Sequence, residues 1–166
     1  MSQYRISTLV FLRNSQDEFL LIERRKAPNK GRWSPIGGKL DMESGESPFE
    51  CAVRETKEEV NLTVQITDLH LFGYVAEKNY QDSGHWLMFL FDCKKPTETL
   101  PPTISEGRFG FFSREAIETL PIPDSDRILL WPNFDKYHKG FAALRADCRN
   151  GPPENLVLEQ MINPQL

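Results

Sequence analysis

Short runs of apolar residues, bounded by turn-forming residues, predict a series of β-strands in this chain. The runs cover residues 4–12, 18–24, 63–76, 85–92 and 107–112. A turn at 14–17 separates the first two strands, so we expect them to form a hairpin. The run at 85–92 is so apolar that we expect a central strand covered on both faces.

The second half of the chain combines helical and extended patterns. A proline-bearing loop at 94–105 precedes the strand at 107–112, and a short helix is expected at 114–119. Helical turns are expected over 124–137, with an interruption at Pro132 because proline removes a helix hydrogen bond. Two edge strands are expected at 141–146 and 156–160.

The segment from Ser47 to Asn61 predicts an amphipathic helix with both ends encoded locally. Ser47 suits the N-cap, Pro48 suits the first helical position and Glu50 suits a capping box. Asn61 suits the end of the helix because Asn tolerates the left-handed conformation. An apolar stripe expected to dock on a core consists of Phe49, Ala52, Val53, Thr56 and Val60.

The opposite face of this helix is acidic, because Glu55, Glu58 and Glu59 lie three and four residues apart. Each like-charge pair at this spacing costs roughly 0.2–0.5 kcal/mol of helix stability, and Arg54 and Lys57 offset only part of it. Clustered carboxylates are hard ligands that suit Mg²⁺ or Mn²⁺. An acidic face can also be simply solvated. A glycine-bearing segment with Gly37, Gly38 and Gly45 favours a metal site, because a loop carbonyl can join the carboxylates.

These residues resemble the sequence box of the Nudix hydrolase family, in its MutT-like form. The family's positions are occupied by Glu46, Arg54, Glu55, Glu58, Glu59 and Leu62, with Thr56 at an aliphatic site. Three departures are present: the loop between Gly38 and Glu46 is two residues longer, Asn61 replaces a glycine, and Ile36 replaces a proline. None of the departures removes a carboxylate.

The resemblance implies an α/β fold, the Nudix α/β/α sandwich with a mixed β-sheet, as a single domain over residues 1–166. It implies Mg²⁺-dependent or Mn²⁺-dependent hydrolysis of a phosphoanhydride bond. The implied metal ligands are Glu55, Glu58 and Glu59 with the Gly37 carbonyl, while Arg54 pairs with Glu46 to orient the helix. A plain ion pair on the helix face is the alternative for Arg54.

A further acid outside the box often serves as base or ligand in this family. Glu106, in the loop before the strand at 107–112, is the candidate here, beside the alternative of an ordinary loop glutamate. An acid directly before the strand aromatic would have to stand at Gly110 and is absent. Otherwise Glu58 or Glu59 also acts as the base.

Composition restricts the classes of partner. The chain has 166 residues, 39% of them hydrophobic, and a net charge of -4. One domain is expected, and a broad nucleic-acid surface is not. Cys51, Cys93 and Cys148 show no zinc-like spacing, which favours a reducing, cytoplasmic setting. The N-terminus lacks a signal-peptide pattern and no membrane partner is expected, while a homodimer is compatible with the sequence.

Several basic and aromatic residues are candidates for contacts to the nucleotide substrate. Arg24, Arg25 and Lys39 are candidates for phosphate contacts, and Trp33, Phe72, Tyr74 and Trp86 for stacking on a base, although such aromatics more often belong to a core. Tyr80, eighteen residues after Leu62, resembles a feature of dinucleoside polyphosphate hydrolases. The proline of ADP-ribose hydrolases is replaced by Glu77 and Lys78. A nucleoside triphosphate, such as an oxidised purine deoxynucleotide, is favoured. Dinucleoside polyphosphates, ADP-ribose and a non-catalytic nucleotide-binding module remain alternatives.

Overall fold

The computed structural model describes residues 3–164, so both ends of the domain expected over 1–166 lie outside the described residues. The strands in this range are β1 (Tyr4–Arg13), β2 (Phe19–Arg24), β3 (Trp33–Ser34), β4 (Ile36–Lys39), β5 (Leu69–Lys78), β6 (His85–Cys93), β7 (Gly107–Phe112), β8 (Phe141–Asp147) and β9 (Glu154–Ile162). The α-helices are α1 (Pro48–Val60), α2 (Arg114–Ile117) and α3 (Trp131–Tyr137). A π-helical turn, Asp126–Leu130, leads directly into α3.

The strands form a mixed β-sheet, as the resemblance to the Nudix family implies. Its order is β3-β2-β1-β6-β5-β8-β9, with β4 also paired to β1 and β7 also paired to β2. β1 runs parallel to β6 and β5 runs parallel to β8, whereas the other pairs are antiparallel. The predicted hairpin between β1 and β2 is present, with Leu12 opposite Leu20.

Helices cover both faces of the sheet, which confirms the α/β/α arrangement. On one face Ala52 of α1 packs into a cluster with Val10 and Phe91. On the other face Trp131 and Phe134 of α3 belong to a separate cluster with the sheet. The sheet therefore separates two hydrophobic cores, and each helix buries its apolar side against one of them.

The capping of α1 follows the sequence prediction. The Glu50 backbone N–H donates to Ser47 Oγ at 3.2 Å, and the Ser47 backbone N–H donates to Glu50 Oε2 at 2.7 Å. Asn61 ends the helix in the left-handed region with φ of 54°. The predicted stripe faces the core, with Ala52 and Thr56 buried and Phe49, Val53 and Val60 packed beside them.

Three segments differ from the prediction in their structure, their first residue or their burial. The glycine-bearing segment was expected to be a loop, but Ile36–Lys39 is a strand whose Gly37 pairs with Leu9 of β1. The strand expected from residue 63 starts only at Leu69, because a 3₁₀ turn precedes it. β6 is central, as expected, but only its last four residues are buried, so coverage on both faces is partial.

The prediction for the C-terminal third also needs two corrections. Pro132 does not break the helical segment, but the hydrogen-bond pattern changes from π to α directly before it, so the proline lies in the first turn of α3 and not in the middle of a regular α-helix. β8 is not an edge strand, since it lies between β5 and β9, whereas β9 is at the edge as expected. Within residues 3–164, no helix is long and apolar enough to span a membrane.

Candidate active site

A cleft of about 640 Å³ lies beside α1 and β4. This volume falls within the range typical of small-molecule sites. Eight of the residues predicted to form the site line the cleft: Arg24, Gly37, Lys39, Glu55, Glu58, Glu59, Tyr80 and Glu106. They come from distant parts of the sequence, so it is the fold that brings them together.

Arg54 organises the acidic face of α1. Its guanidinium donates to both carboxylate oxygens of Glu46, at 2.6 and 2.9 Å. Nη1 donates to Glu55 Oε1 at 2.9 Å and to Glu58 Oε2 at 3.2 Å. The hydrogen bonds from Arg54 lower the pKa of Glu46 to about 2, and the same bonds raise the pKa of Arg54. The predicted pairing of Arg54 with Glu46 is therefore present, and Arg54 also contacts two of the cleft acids.

Glu59 differs from its neighbours in its surroundings. Its Oε2 atom is buried and has no hydrogen-bond partner within residues 3–164. Burial, followed by the charge of Glu55, raises the pKa of Glu59 to about 8, and the charge of Glu106 adds to the effect. Glu58, by contrast, has a side chain that is 59% exposed. The acidic face thus presents one buried carboxyl group and one solvated carboxylate to the same cleft.

The glycine pair in β4 allows the strand to pass close to α1 and β1. A Cβ atom at Gly38 would overlap the Glu55 carboxylate, and one at Gly37 would overlap the Thr8 carbonyl oxygen. Carbonyls of this strand also face the helix, since Arg54 Nη2 donates to the Lys39 oxygen at 3.1 Å. Glycine at both positions therefore fixes the spacing between β4 and the acidic face.

The described part of the chain contains no ready-made group of three or more His, Cys, Asp or Glu side chains around a single metal position. Arg54 holds Glu55 and Glu58, while Glu59 is directed into a buried position. The donors nevertheless fit a hard divalent cation, because they are carboxylate and carbonyl oxygens and one buried oxygen of Glu59 lacks a partner. Glu55, Glu58, Glu59 and the Gly37 carbonyl are the groups available to hold such an ion.

The remainder of the cleft carries basic and aromatic side chains. Lys39 Nζ lies 5.8 Å from the ring centre of Trp86, and both residues line the cleft. Arg24 Nε donates to the Pro28 carbonyl at 2.9 Å. The Tyr80 hydroxyl donates to Asn29 Oδ1 at 2.7 Å. This side of the cleft combines positive charge with a ring suited to stacking.

Three of the four aromatic residues proposed for base stacking lie elsewhere. Phe72 is completely buried in the core on the α3 side. Trp33 packs edge-on against Phe112, and Tyr74 lies near Phe89 and Phe141. Arg25 is exposed and does not line the cleft. Of the four aromatic residues, only Trp86 lines the cleft. The sequence could not distinguish it from the other three, because an aromatic residue in a core and one in a cleft lie in the same apolar pattern.

Two buried acids that were not among the predicted site residues also line the cleft. Glu77 lies near the end of β5 and Asp126 begins the π-helical turn. Glu77 directly follows the apolar run at 63–76 and is adjacent to Lys78, so in sequence it reads as the polar end of a strand. Asp126 carried no signal for the site either, because an acid at the start of a helix is commonly a solvated residue.

The chain is similar to known proteins in family, sequence and fold. The NUDIX domain family model matches residues 3–131. The uncharacterized Nudix hydrolase YvcI of Bacillus subtilis is 28% identical over 152 residues, which are 91% of this chain and 90% of that protein. The chain is also similar to the crystal structure of the MutT protein from Methanosarcina mazei, with a TM-score of 0.68 and 26% identity over 81% of this chain and 94% of that one.

A second MutT structure, from Bacillus halodurans, has a TM-score of 0.72 at 20% identity and covers 93% of this chain and 97% of that chain. At this identity the likeness concerns the fold alone. The family model, in contrast, covers more than half of the chain and includes the whole acidic face of α1. The chain therefore belongs to the Nudix family, and it is a hydrolase of that family with a MutT-like fold, acting on nucleoside diphosphate derivatives.

Proposed function

We propose that this chain is a divalent-metal-dependent pyrophosphohydrolase of nucleoside triphosphates, with Mg²⁺ as the first candidate ion and Mn²⁺ as the second. The observation that carries the proposal is the Glu59 carboxyl group, buried beside Glu55 in the cleft with one oxygen unpartnered. An orphaned buried carboxylate oxygen is costly, and a cation is the partner that would offset this cost.

Glu55, Glu58, Glu59 and the Gly37 carbonyl would hold the ion. When bound, the ion would neutralise phosphate charge and lower the pKa of a water molecule. Arg54 keeps Glu55 and Glu58 oriented through its own hydrogen bonds and is itself fixed by Glu46. Its role is therefore positioning, since it does not line the cleft.

Arg24 and Lys39 would contact the phosphate chain, because they are cations lining the same cleft as the acidic face. Trp86 would stack on the base beside Lys39. The attacking water must lose a proton, and Glu106 is proposed to accept it. The charge of Glu106 acts on Glu59, which supports this placement. Glu58 or Glu59 is the alternative acceptor.

Within the triphosphate class, an oxidised purine deoxynucleotide is the first candidate, in keeping with the MutT-like fold. Dinucleoside polyphosphates are the second candidate. Tyr80 stands eighteen residues after Leu62, which resembles a feature of dinucleoside polyphosphate hydrolases, and it lines the cleft. Neither choice alters the chemistry at the acidic face, since both substrates contain a phosphoanhydride next to a nucleoside.

The test is a panel of deoxynucleoside triphosphates, oxidised purine triphosphates, dinucleoside polyphosphates and ADP-ribose, with and without Mg²⁺, in ¹⁸O-labelled water. We expect a nucleoside monophosphate and pyrophosphate from triphosphates, with the label on one product only. Faster hydrolysis of dinucleoside polyphosphates or ADP-ribose than of any triphosphate would overturn the substrate assignment. Binding of nucleotides without hydrolysis of any of them would identify a non-catalytic module.

A further inference from the structure

Two loops from distant parts of the chain meet at the cleft. The first loop, residues 25–32, connects β2 to β3, and its Asn29 lines the cleft. The second loop, residues 79–84, connects β5 to β6, and its Tyr80 lines the same cleft. In the sheet, β1 lies between β2 and β6, so the main-chain hydrogen bonds of the sheet do not join the two loops directly. Side-chain contacts therefore determine how the loops are held relative to each other.

One oxygen atom, Asn29 Oδ1, joins the two loops. It accepts a hydrogen bond from the Tyr80 hydroxyl at 2.7 Å and another from Gln81 Nε2 at 3.2 Å. Among the groups that the structure describes, these are the only hydrogen bonds between the loops. Tyr80 is 9% exposed, and burial raises the pKa of its hydroxyl to about 12, so the hydroxyl stays protonated and able to donate at neutral pH. We call this contact of Asn29 with Tyr80 and Gln81 the latch.

The backbone on both sides of the latch adopts left-handed conformations. Asn29, Asn79 and Gln81 have φ of 66°, 55° and 45°. Asn tolerates this region, whereas it is unfavourable for a residue such as Gln81. Residues in such conformations persist where their surroundings hold them, and they cluster at ligand sites. The Gln81 side chain contacts Asn29 at 3.2 Å and the Tyr80 hydroxyl at 3.4 Å, so the latch stabilises the strained turn.

Hydrogen bonds lead from the latch to a proposed ligand contact on each side. In the first loop, the Pro28 carbonyl accepts from Arg24 Nε at 2.9 Å. In the second loop, the Tyr80 carbonyl accepts from the Ser83 backbone N–H at 2.8 Å. Ser83 Oγ in turn accepts from Trp86 Nε1 at 2.8 Å. The latch thus connects the arginine proposed to contact phosphate with the tryptophan proposed to stack on the base.

We propose that Asn29 and Tyr80 are positioning residues, whose latch holds the two loops at the spacing that a bound nucleotide requires. Arg24 and Trp86 are thereby oriented before the ligand arrives, so binding does not have to order them. Tyr80 acts through its hydroxyl and not as a stacking ring. Loss of the latch weakens the binding of nucleotides and leaves the chemical step at the acidic face of α1 unchanged. The proposal rests on the proposed function, because Arg24 and Trp86 are ligand contacts only if the cleft binds a nucleotide.

The first test measures KM and kcat of Asn29→Gly for the triphosphate that the wild type hydrolyses fastest. This variant removes the acceptor of the latch and keeps a residue that tolerates a positive φ. We expect KM to rise about tenfold while kcat stays within about threefold of the wild type. Asn155→Gly is the matched control, because Asn155 is exposed on β9 with φ of 50°. An unchanged KM in Asn29→Gly, or a fall in kcat as large as the rise in KM, would overturn the proposal.

The second test distinguishes the latch from base stacking by Tyr80. Tyr80→Phe keeps the ring and removes the hydroxyl, so stacking predicts the wild-type KM, whereas the latch predicts a rise of about threefold or more. Added to Asn29→Gly, Tyr80→Phe should have little further effect, because both changes break one contact. Tyr4→Phe, which removes an exposed hydroxyl, is the control. A wild-type KM in Tyr80→Phe, or additive effects in the double variant, would contradict the proposal. If Tyr80→Phe fails to fold, Asn29→Gly still decides.

The third test separates this proposal from the proposed function, because it needs no substrate. Hydrogen–deuterium exchange of the ligand-free protein measures the opening of each loop. Asn29→Gly should speed exchange at residues 79–84, and Tyr80→Phe at residues 25–32, by at least about fivefold, with no change in α1. Asn155→Gly should exchange as the wild type in both loops. Faster exchange in the opposite loop without hydrolysis of any triphosphate would support the latch while the proposed function fails. Hydrolysis of triphosphates with wild-type exchange in both variants would overturn the latch and leave the proposed function intact.

Discussion

Arg54 donates two hydrogen bonds to Glu46, from Nε to Oε1 at 2.6 Å and from Nη2 to Oε2 at 2.9 Å. Through this pair, α1 is joined to the residue that directly precedes its N-cap. The same guanidinium contacts Glu55 and Glu58, so the position of the cleft acids depends on a residue that does not line the cleft.

The ion pair predicts a pH dependence of stability. The pKa of Glu46 is lowered from 4.5 to about 2. The ion pair therefore contributes fully to the free energy of unfolding above about pH 4.5, and this contribution is lost as the pH falls towards 2. Glu46→Gln should therefore lower the melting temperature at pH 7, and the difference from wild type should close between these pH values. Melting curves in chelator, with Glu115→Gln as an exposed control, measure it. A difference that stays constant down to pH 2 would refute the ion-pair account.

Hydrolysis should require a divalent cation, because the acidic face otherwise repels a phosphate chain. Exhaustive chelation should abolish turnover, and Mg²⁺ or Mn²⁺ should restore it. Mg²⁺ should also raise the melting temperature of the wild type, since an ion that binds only the folded state stabilises it. Full activity in chelator would contradict the proposed chemistry.

Glu59→Gln should reduce turnover by at least about a hundredfold while the protein still folds, because it keeps the side-chain size and removes an ionisable ligand. In metal-free buffer its melting temperature should be unchanged or slightly raised, since burial and the charge of Glu55 disfavour the ionised Glu59. The stabilisation by Mg²⁺ should be weaker than in the wild type. Near-normal turnover would remove Glu59 from the metal site, and a large drop in melting temperature would indicate a structural role instead.

Glu106→Gln distinguishes the candidate bases. If Glu106 accepts the proton from the attacking water, kcat should fall by about a hundredfold or more with little change in KM. In Glu106→Gln, the fall in kcat at acidic pH that protonation of the base causes should disappear. Glu115→Gln is again the control, because Glu115 is exposed on α2. Normal kcat in Glu106→Gln would assign the proton acceptor to Glu58 or Glu59.

Local signals made α1 predictable to the residue, because Ser47, Pro48, Glu50 and Asn61 act within one or two helical turns. β4 was missed for the opposite reason. Its existence depends on pairing with β1 across a sequence distance at which no residue in the segment itself specifies the partner. The prediction that β8 is an edge strand was wrong for a similar reason, because its place inside the sheet depends on pairing with β5 and β9.

In the candidate site, residues close together in sequence could be predicted, whereas residues that only the fold brings together could not. The acids of α1 could be assigned because helical spacing alone places them on one face. Glu77 and Asp126 lie on two elements that meet only in the folded chain, and nothing in the spacing of residues 77 and 126 indicates that both border one cleft. Trp86 could not be distinguished from Phe72 either, since the side of the sheet that each aromatic occupies depends on the complete topology.

The Arg54 hydrogen bonds also determine where the chain can accept additional sequence. Glu46 is held by Arg54 and accepts from the Asp41 backbone N–H at 2.8 Å, so the segment between Asp41 and Glu46 is closed at its base. Residues 42–45 are all exposed, which lets the two extra residues of this loop project into solvent. A short peptide tag inserted between Glu43 and Ser44 should consequently leave the geometry of the acidic face unchanged, which makes this loop a convenient attachment point for a probe next to the cleft.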